Sequence, residues 1–184
     1  MSGAGEVYVG LLYSIVIGKG IRVTNEALKE IVSNCGYQNP RPYISSGNVV
    51  FEAKKQAVSS VELKLEEAFE RHFGKKIDII VKPREEFLGL LSQNPWQRLA
   101  ATDGSRVAIK IMREKLSTDR AKLLCAAPGV GEKLTIIDGH VWYYVPVENA
   151  GSRLHGKVSN RLNGIGTSRN WNTMQGLARL LVQK

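Results

Sequence analysis

Three short segments of this 184-residue chain carry side chains able to hold an anion or activate a nucleophile. Gly18-Lys19-Gly20 lies where an apolar run gives way to a helical pattern. Backbone amides and a lysine cradle phosphates at such junctions. A complete phosphate-wrapping loop also needs an earlier glycine and a Ser or Thr after the lysine. Tyr13 and Gly20 stand at those positions instead. A dinucleotide fingerprint fails as well, because Val23 occupies the place of its third glycine. Lys19 is therefore a candidate anion contact on a turn, without a full motif around it.

Ser45-Ser46-Gly47-Asn48 offers two hydroxyls and a carboxamide. A serine nucleophile needs a His and an acid that orient and deprotonate it, and an elbow that exposes it. Neither is legible here. Gly and Asn tolerate positive φ, so a bulge explains both, and such a bulge can aim Asn48 at a ligand. Ser168-Arg169-Asn170-Trp171-Asn172-Thr173 is the densest polar–aromatic cluster. Asn170 or Ser168 can cap the helix that follows, and the amides there, with Arg169 beside them, suit a phosphate or carboxylate. Trp171 is read as an anchor to the core.

His72, His140 and His155 have no metal-ligand spacing. His72 and His140 are read as structural, while His155 lies among basic residues. No metal and no cofactor is implied, and no general base can be nominated, so the sequence leaves open whether the protein is an enzyme.

Charge is unevenly spread. The net charge of +9 concentrates in residues 93–184, which hold 14 Lys/Arg against 6 Asp/Glu. After Glu148 there is no acidic residue, while Arg153, Lys157 and Arg161 follow as candidate phosphate contacts. A one-sided surface of this kind suits nucleic acid or another polyanion. Cys35 and Cys125 are isolated and read as buried thiols. The first residues lack the basic and apolar regions of a signal peptide, and no apolar run nears the roughly 20 residues of a membrane span. A cytoplasmic location without a membrane partner is expected.

The elements that would carry these residues follow from periodicity. Residues 7–13 read as a buried strand, and Thr24 caps a helix whose stripe is Ala27, Leu28, Ile31 and Val32. Residues 43–51 read as a strand kinked at Ser-Gly-Asn. A helix over 58–73 buries Val61, Leu65 and Phe69 and turns Glu62 and Glu66 to solvent. A strand over 77–81 leads to Pro83 and a third helix. Beyond a junction between 94 and 103, a strand spans 107–112 and a short helix 118–126. Asp138-Gly139 joins two hairpin strands, and a helix over 171–182 closes the chain. The expected class is α+β, with a ferredoxin-like split βαβ unit over 1–94 and a smaller basic α+β unit over 103–184. A doubly wound parallel sheet is the alternative.

Taken together, residues 11–18, the run from Tyr43 to Phe51 and the run from Arg169 to Thr173 resemble the bacterial proteins catalogued as domain of unknown function 1697. The resemblance implies an α+β fold with a ferredoxin-like part and no agreed activity. Where that family shows an Arg and an Asn after its first strand, Tyr13 and Val16 stand here. The later motifs match, so the resemblance points to Ser46, Asn48, Arg169, Asn170 and Asn172 as a shared ligand site. The reading that emerges is a basic module for an anionic partner, nucleic acid first. The alternative is an enzyme or binder of a phosphorylated or carboxylated small molecule.

Overall fold

The structure is a computed structural model and describes residues 5–17, 20–147 and 151–182. It divides into two compact units. The first comprises the described residues up to Leu90 together with those from Gly176 onward, and the second is Leu91–Gln175. The sequence places the junction a few residues later and assigns the whole C-terminal end to the second unit. In the structure the chain returns to the first unit inside its last helix.

The N-terminal stretch runs β1 (Gly5–Leu12), β2 (Val16–Ile17), β3 (Ile21–Arg22), α1 (Asn25–Asn34), β4 (Gln38–Pro42), β5 (Asn48–Lys54), α2 (Val58–Phe73), β6 (Ile79–Pro83) and α3 (Arg84–Ser92). The small strands β2 and β3 pair with each other, and the four others form one sheet in the order β4-β5-β1-β6. Every neighbouring pair is antiparallel, which excludes the parallel alternative for this unit. Central β1 is closed to solvent on both faces, with Tyr8, Val9, Leu11 and Leu12 at most 1% exposed. It therefore reads as a continuous apolar run without alternation. One face packs on Leu28 and Ile31 of α1 and on Val61, Leu65 and Phe69 of α2. Phe51 stacks between Tyr8 and Tyr37, with ring centroids 5.8 and 5.0 Å away.

The helix caps follow sequence chemistry. Thr24 Oγ1 accepts from Ala27 N at 3.1 Å, and Gly36 leaves α1 in the left-handed region at φ 76°. The segment read as one kinked strand is instead a hairpin, since residues 43–47 turn the chain from β4 into β5.

Glu62 and Glu66 overturn the solvent-facing expectation for α2, being 6% and 4% exposed. Strand β6 is a sheet edge, and its inner residues face β1. Of its outward positions, Ile79 N donates to Glu66 Oε1 at 3.0 Å and Val81 N to Glu62 Oε1 at 2.9 Å. The next outward residue is Pro83, which has no N–H to satisfy. The helix thus completes the hydrogen bonding of an edge that would otherwise recruit another strand. The opposite edge, β4, is blunted by Pro40, Pro42 and a register shift at Asn39, whose φ is 49°.

The second unit contains α4 (Gln97–Thr102), β7 (Val107–Met112), α5 (Thr118–Cys125), β8 (Lys133–Ile137), β9 (His140–Tyr144), α6 (Leu154–Ser159), a 3-10 turn (Arg161–Asn163) and β10 (Gly166–Asn170). The closing helix α7 (Trp171–Val182) begins in it. Its antiparallel sheet has the order β10-β7-β9-β8. Asp138 and Gly139 both take positive φ, 50° and 82°, as a tight hairpin turn with right-handed twist requires. Strand β10 escapes sequence reading because Gly-Thr-Ser-Arg-Asn has no apolar alternation. Cys125 is exposed, contrary to its expected burial, whereas Cys35 is buried. No described helix is long and apolar enough to cross a membrane.

Replacing Glu62 or Glu66 by Ala strands a buried amide and is expected to cost about 1–3 kcal/mol in urea unfolding, while Gln, which keeps the acceptor, costs less. Equal losses for Ala and Gln would show that the edge amides are not what these carboxylates serve.

Candidate functional site

The motifs singled out from sequence are largely engaged in their own backbone. Asn48 is fully buried, and its Nδ2 donates to Tyr43 O at 3.1 Å and to Ser46 Oγ at 2.6 Å. Gly47 has φ 72°, and a Cβ there would fall 2.8 Å from both Leu12 and Ile15 side chains. Ser46, Gly47 and Asn48 therefore close the β4–β5 turn against β1. Lys19 lies outside the described residues.

Arg169 and Asn170 lie at the end of β10, and the helix begins only at Trp171. Arg169 pairs with Ile109 of β7 and is 9% exposed. Its guanidinium donates to Thr167 Oγ1 at 2.7 Å and to Ser168 O at 2.8 Å. Burial drives its pKa down to about 10. Asn170 Oδ1 accepts from Thr173 N at 3.0 Å, so the opening turn of α7 is capped from within. That bond takes one of the amides at the helix start where an anion is expected. Asn172 is exposed beside Trp171, and its carboxamide lies so close to Gly104 that no Cβ fits there. Trp171 is half-buried, its ring 6.2 Å from that of Trp142. His140 is structural, as expected, with Nδ1 accepting from Met112 N at 3.0 Å.

Cations do converge elsewhere in the second unit. A cleft of about 400 Å³ is lined by Arg113, Glu114, Lys115, Ser117, Arg120 and the segment 162–165. It forms where β7 ends, where α5 begins and where the chain passes from the 3-10 turn into β10. Two ties hold its walls together. Arg113 N donates to Ile165 O at 2.9 Å, and Arg120 Nε donates to Leu162 O at 2.9 Å. The second tie fixes the plane of the Arg120 guanidinium and leaves its two terminal nitrogens for a ligand. Lys115 packs on the β8–β9 turn, where a Cβ at Gly139 would come within 2.6 Å of Lys115 Cβ. Ser117 occupies the N-cap of α5 without a side-chain cap bond, so first-turn amides add to the positive potential.

Three further residues named from sequence belong to the same unit. Arg153 at the N-cap of α6, Lys157 on α6 and Arg161 on the 3-10 turn that leads into the cleft wall are all exposed. Lys157 Nζ reaches Ala127 O at 3.0 Å. His155 is exposed, edge-on to Tyr143 at 5.2 Å. Sequence reading passed over Arg113, Lys115 and Arg120. The available signal was a strand followed by a basic loop and a Ser-Thr helix start, the same junction logic applied to Lys19. Among the described residues no cluster of His, Cys, Asp and Glu is suited to a metal ion.

Beneath the 3-10 turn lies Lys110, 1% exposed, whose Nζ donates to Val158 O at 3.0 Å. Asn163 Nδ2 donates to the same carbonyl at 3.1 Å. Burial, and secondarily the charge of Arg161, pushes the Lys110 pKa down from 10.5 to about 8. Below pH 8 the ammonium is destabilising, because the unfolded chain holds that proton with less penalty. Between about pH 8 and 10 the unfolded state binds more protons than the folded one, so stability rises with pH.

A family model described as "Protein of unknown function (DUF1697)" matches residues 6–142, a span that includes Arg113, Lys115 and Arg120. No curated protein matches the chain. Among solved structures, the chain is similar to the conserved bacterial protein SP0830 from Streptococcus pneumoniae. The two are 24% identical, with a TM-score of 0.76 over 98% of this chain and 100% of that one. At that identity the likeness speaks to the fold.

Lys110→Met is expected to raise stability at pH 7 by up to about 3 kcal/mol and to flatten the rise between pH 8 and 10. Urea unfolding of both proteins at three pH values measures it; parallel pH profiles for the two would contradict the buried-cation account.

Proposed function

The chain belongs to the family described as protein of unknown function DUF1697, and from that premise we propose that its second unit binds a phosphate-bearing ligand. The observation that carries this reading is the convergence of Arg113, Lys115 and Arg120 on one cleft that holds a single lining carboxylate, Glu114. Arginine meets phosphate through paired N–H donors of fixed geometry, and here Leu162 O already orients the Arg120 fork. Lysine adds a mobile point charge, and the amides at the start of α5 favour the same sign of ligand.

Nucleic acid is one source of such a phosphate. Arg153, Lys157 and Arg161 continue the cationic surface along α6 and the 3-10 turn, which would let several phosphates of a strand bind in succession. A free phosphorylated small molecule is the other source, and the concave form of the cleft favours it. The polar motifs around Asn48 and Arg169 supply positioning in this account: one closes a hairpin, and the other caps α7 and holds β10. Glu114 is the one lining carboxylate, and the reading stops at binding.

The test is a titration of the full chain with inorganic phosphate and with a single-stranded oligonucleotide, each at low and at high salt. Arg120→Ala and Lys115→Ala are each expected to weaken phosphate binding about tenfold or more. Changing Arg153, Lys157 and Arg161 together to Ala should spare inorganic phosphate and weaken only the oligonucleotide, with a shallower salt dependence. Phosphate binding that is absent, or that survives both cleft substitutions, would remove the reading.

A further inference from the structure

The cations do not account for the whole lining of the cleft. Beside them in the lining stand Leu162, 71% exposed, and Ile165, 38% exposed. Single exposed hydrophobics are ordinary on protein surfaces, but these two sit on backbone that is fixed. Leu162 N donates to Asn160 Oδ1 at 2.9 Å, and Leu162 O accepts from Arg120 Nε. Ile165 O accepts from Arg113 N. The Arg120 bond that orients a cation therefore also holds Leu162 beside it, and the backbone bond of Arg113 holds Ile165 in the same wall. A bare phosphate ion fills only a small part of about 400 Å³, a volume at the lower end of sites for organic ligands.

Resting on the phosphate reading above, we propose that the cleft is built for a phosphomonoester whose body is an aromatic or similarly flat apolar group. The phosphate would meet Arg120, Lys115 and Arg113, and the ring would lie against Leu162 and Ile165. A sugar phosphate without such a group leaves the wall wet and gains nothing from it. A longer polyanion uses the cations but not the wall. Glu114, between Arg113 and Lys115 in the chain, disfavours a second phosphate in the cleft and accepts a hydrogen bond from a ligand hydroxyl or amine. A nucleoside monophosphate and a phosphorylated aromatic small molecule share this chemistry.

The experiment compares four probes on the full chain by calorimetry or NMR titration: inorganic phosphate, glycerol phosphate, phenyl phosphate and a nucleoside 5′-monophosphate. The two ring-bearing esters are expected to bind at least about tenfold tighter than inorganic phosphate, with glycerol phosphate close to the bare ion. In Leu162→Ser that advantage disappears while inorganic phosphate binds as before, and Leu162→Phe restores it. Leu162 is exposed, so both variants should fold, which circular dichroism verifies. Phenyl phosphate favoured over the nucleotide identifies the small aromatic source, and the reverse order the nucleotide. Four equal affinities, or an advantage that survives Leu162→Ser, overturn the proposal and leave the phosphate site standing. If none of the four binds, the phosphate reading fails and takes this one with it.

Discussion

A buried backbone group must find a partner, and in this protein charged and polar side chains repeatedly supply the partner where the sheets run out. At the outer edge of β6, Glu62 and Glu66 take the amides of Val81 and Ile79. At the end of β7, His140 takes the amide of Met112. Under the 3-10 turn, Lys110 and Asn163 share the carbonyl of Val158. An unpaired buried amide costs as much as several good contacts contribute, so Glu62, Glu66 and His140 cannot be exchanged for apolar residues without stranding the amide each serves, whereas Val158 O keeps Asn163 when Lys110 is replaced.

The cleft is held by similar bonds made at the surface. Its walls belong to loops, which packing alone would leave loose. Hydrogen bonds from Arg113 N to Ile165 O and from Arg120 Nε to Leu162 O fix their separation, and the tight hairpin at Asp138-Gly139 supports Lys115 from behind. A guanidinium bound at Nε is pre-oriented, so less side-chain freedom is lost when an anion arrives. Lys110 and Arg161 add a buried and an exposed positive charge near the same turn, and their mutual repulsion is one cause of the depressed Lys110 pKa. A cluster of like charges that lowers stability persists more readily where it serves binding.

The motifs most conspicuous in sequence hold their own backbone. Asn48 and Ser46 fasten a turn, Asn170 caps a helix, and Arg169 spends its donors on Thr167 and Ser168. Polar residues in tight turns and caps carry type requirements as strict as those of a binding site, because each must present one atom at one place. From residue types alone the two roles look alike.

By itself the sequence determined the elements whose pattern is local. Helices α1, α2 and α7 follow from 3.6-residue stripes and cap residues, and β7 and the β8–β9 hairpin from a compact apolar run and Asp-Gly. The α+β class and the excess of cations in the second half were equally legible. The fates of Glu62 and Glu66 were decided only by tertiary structure, since the amides they satisfy lie 19 and 13 residues away, respectively, on a strand edge. So was β10, whose polar residues become a strand only because β7 offers it a partner. The cleft belongs to the same class: Arg120 and Leu162 are 42 residues apart, and no local pattern encodes a contact that depends on where two loops are brought by the sheet between them.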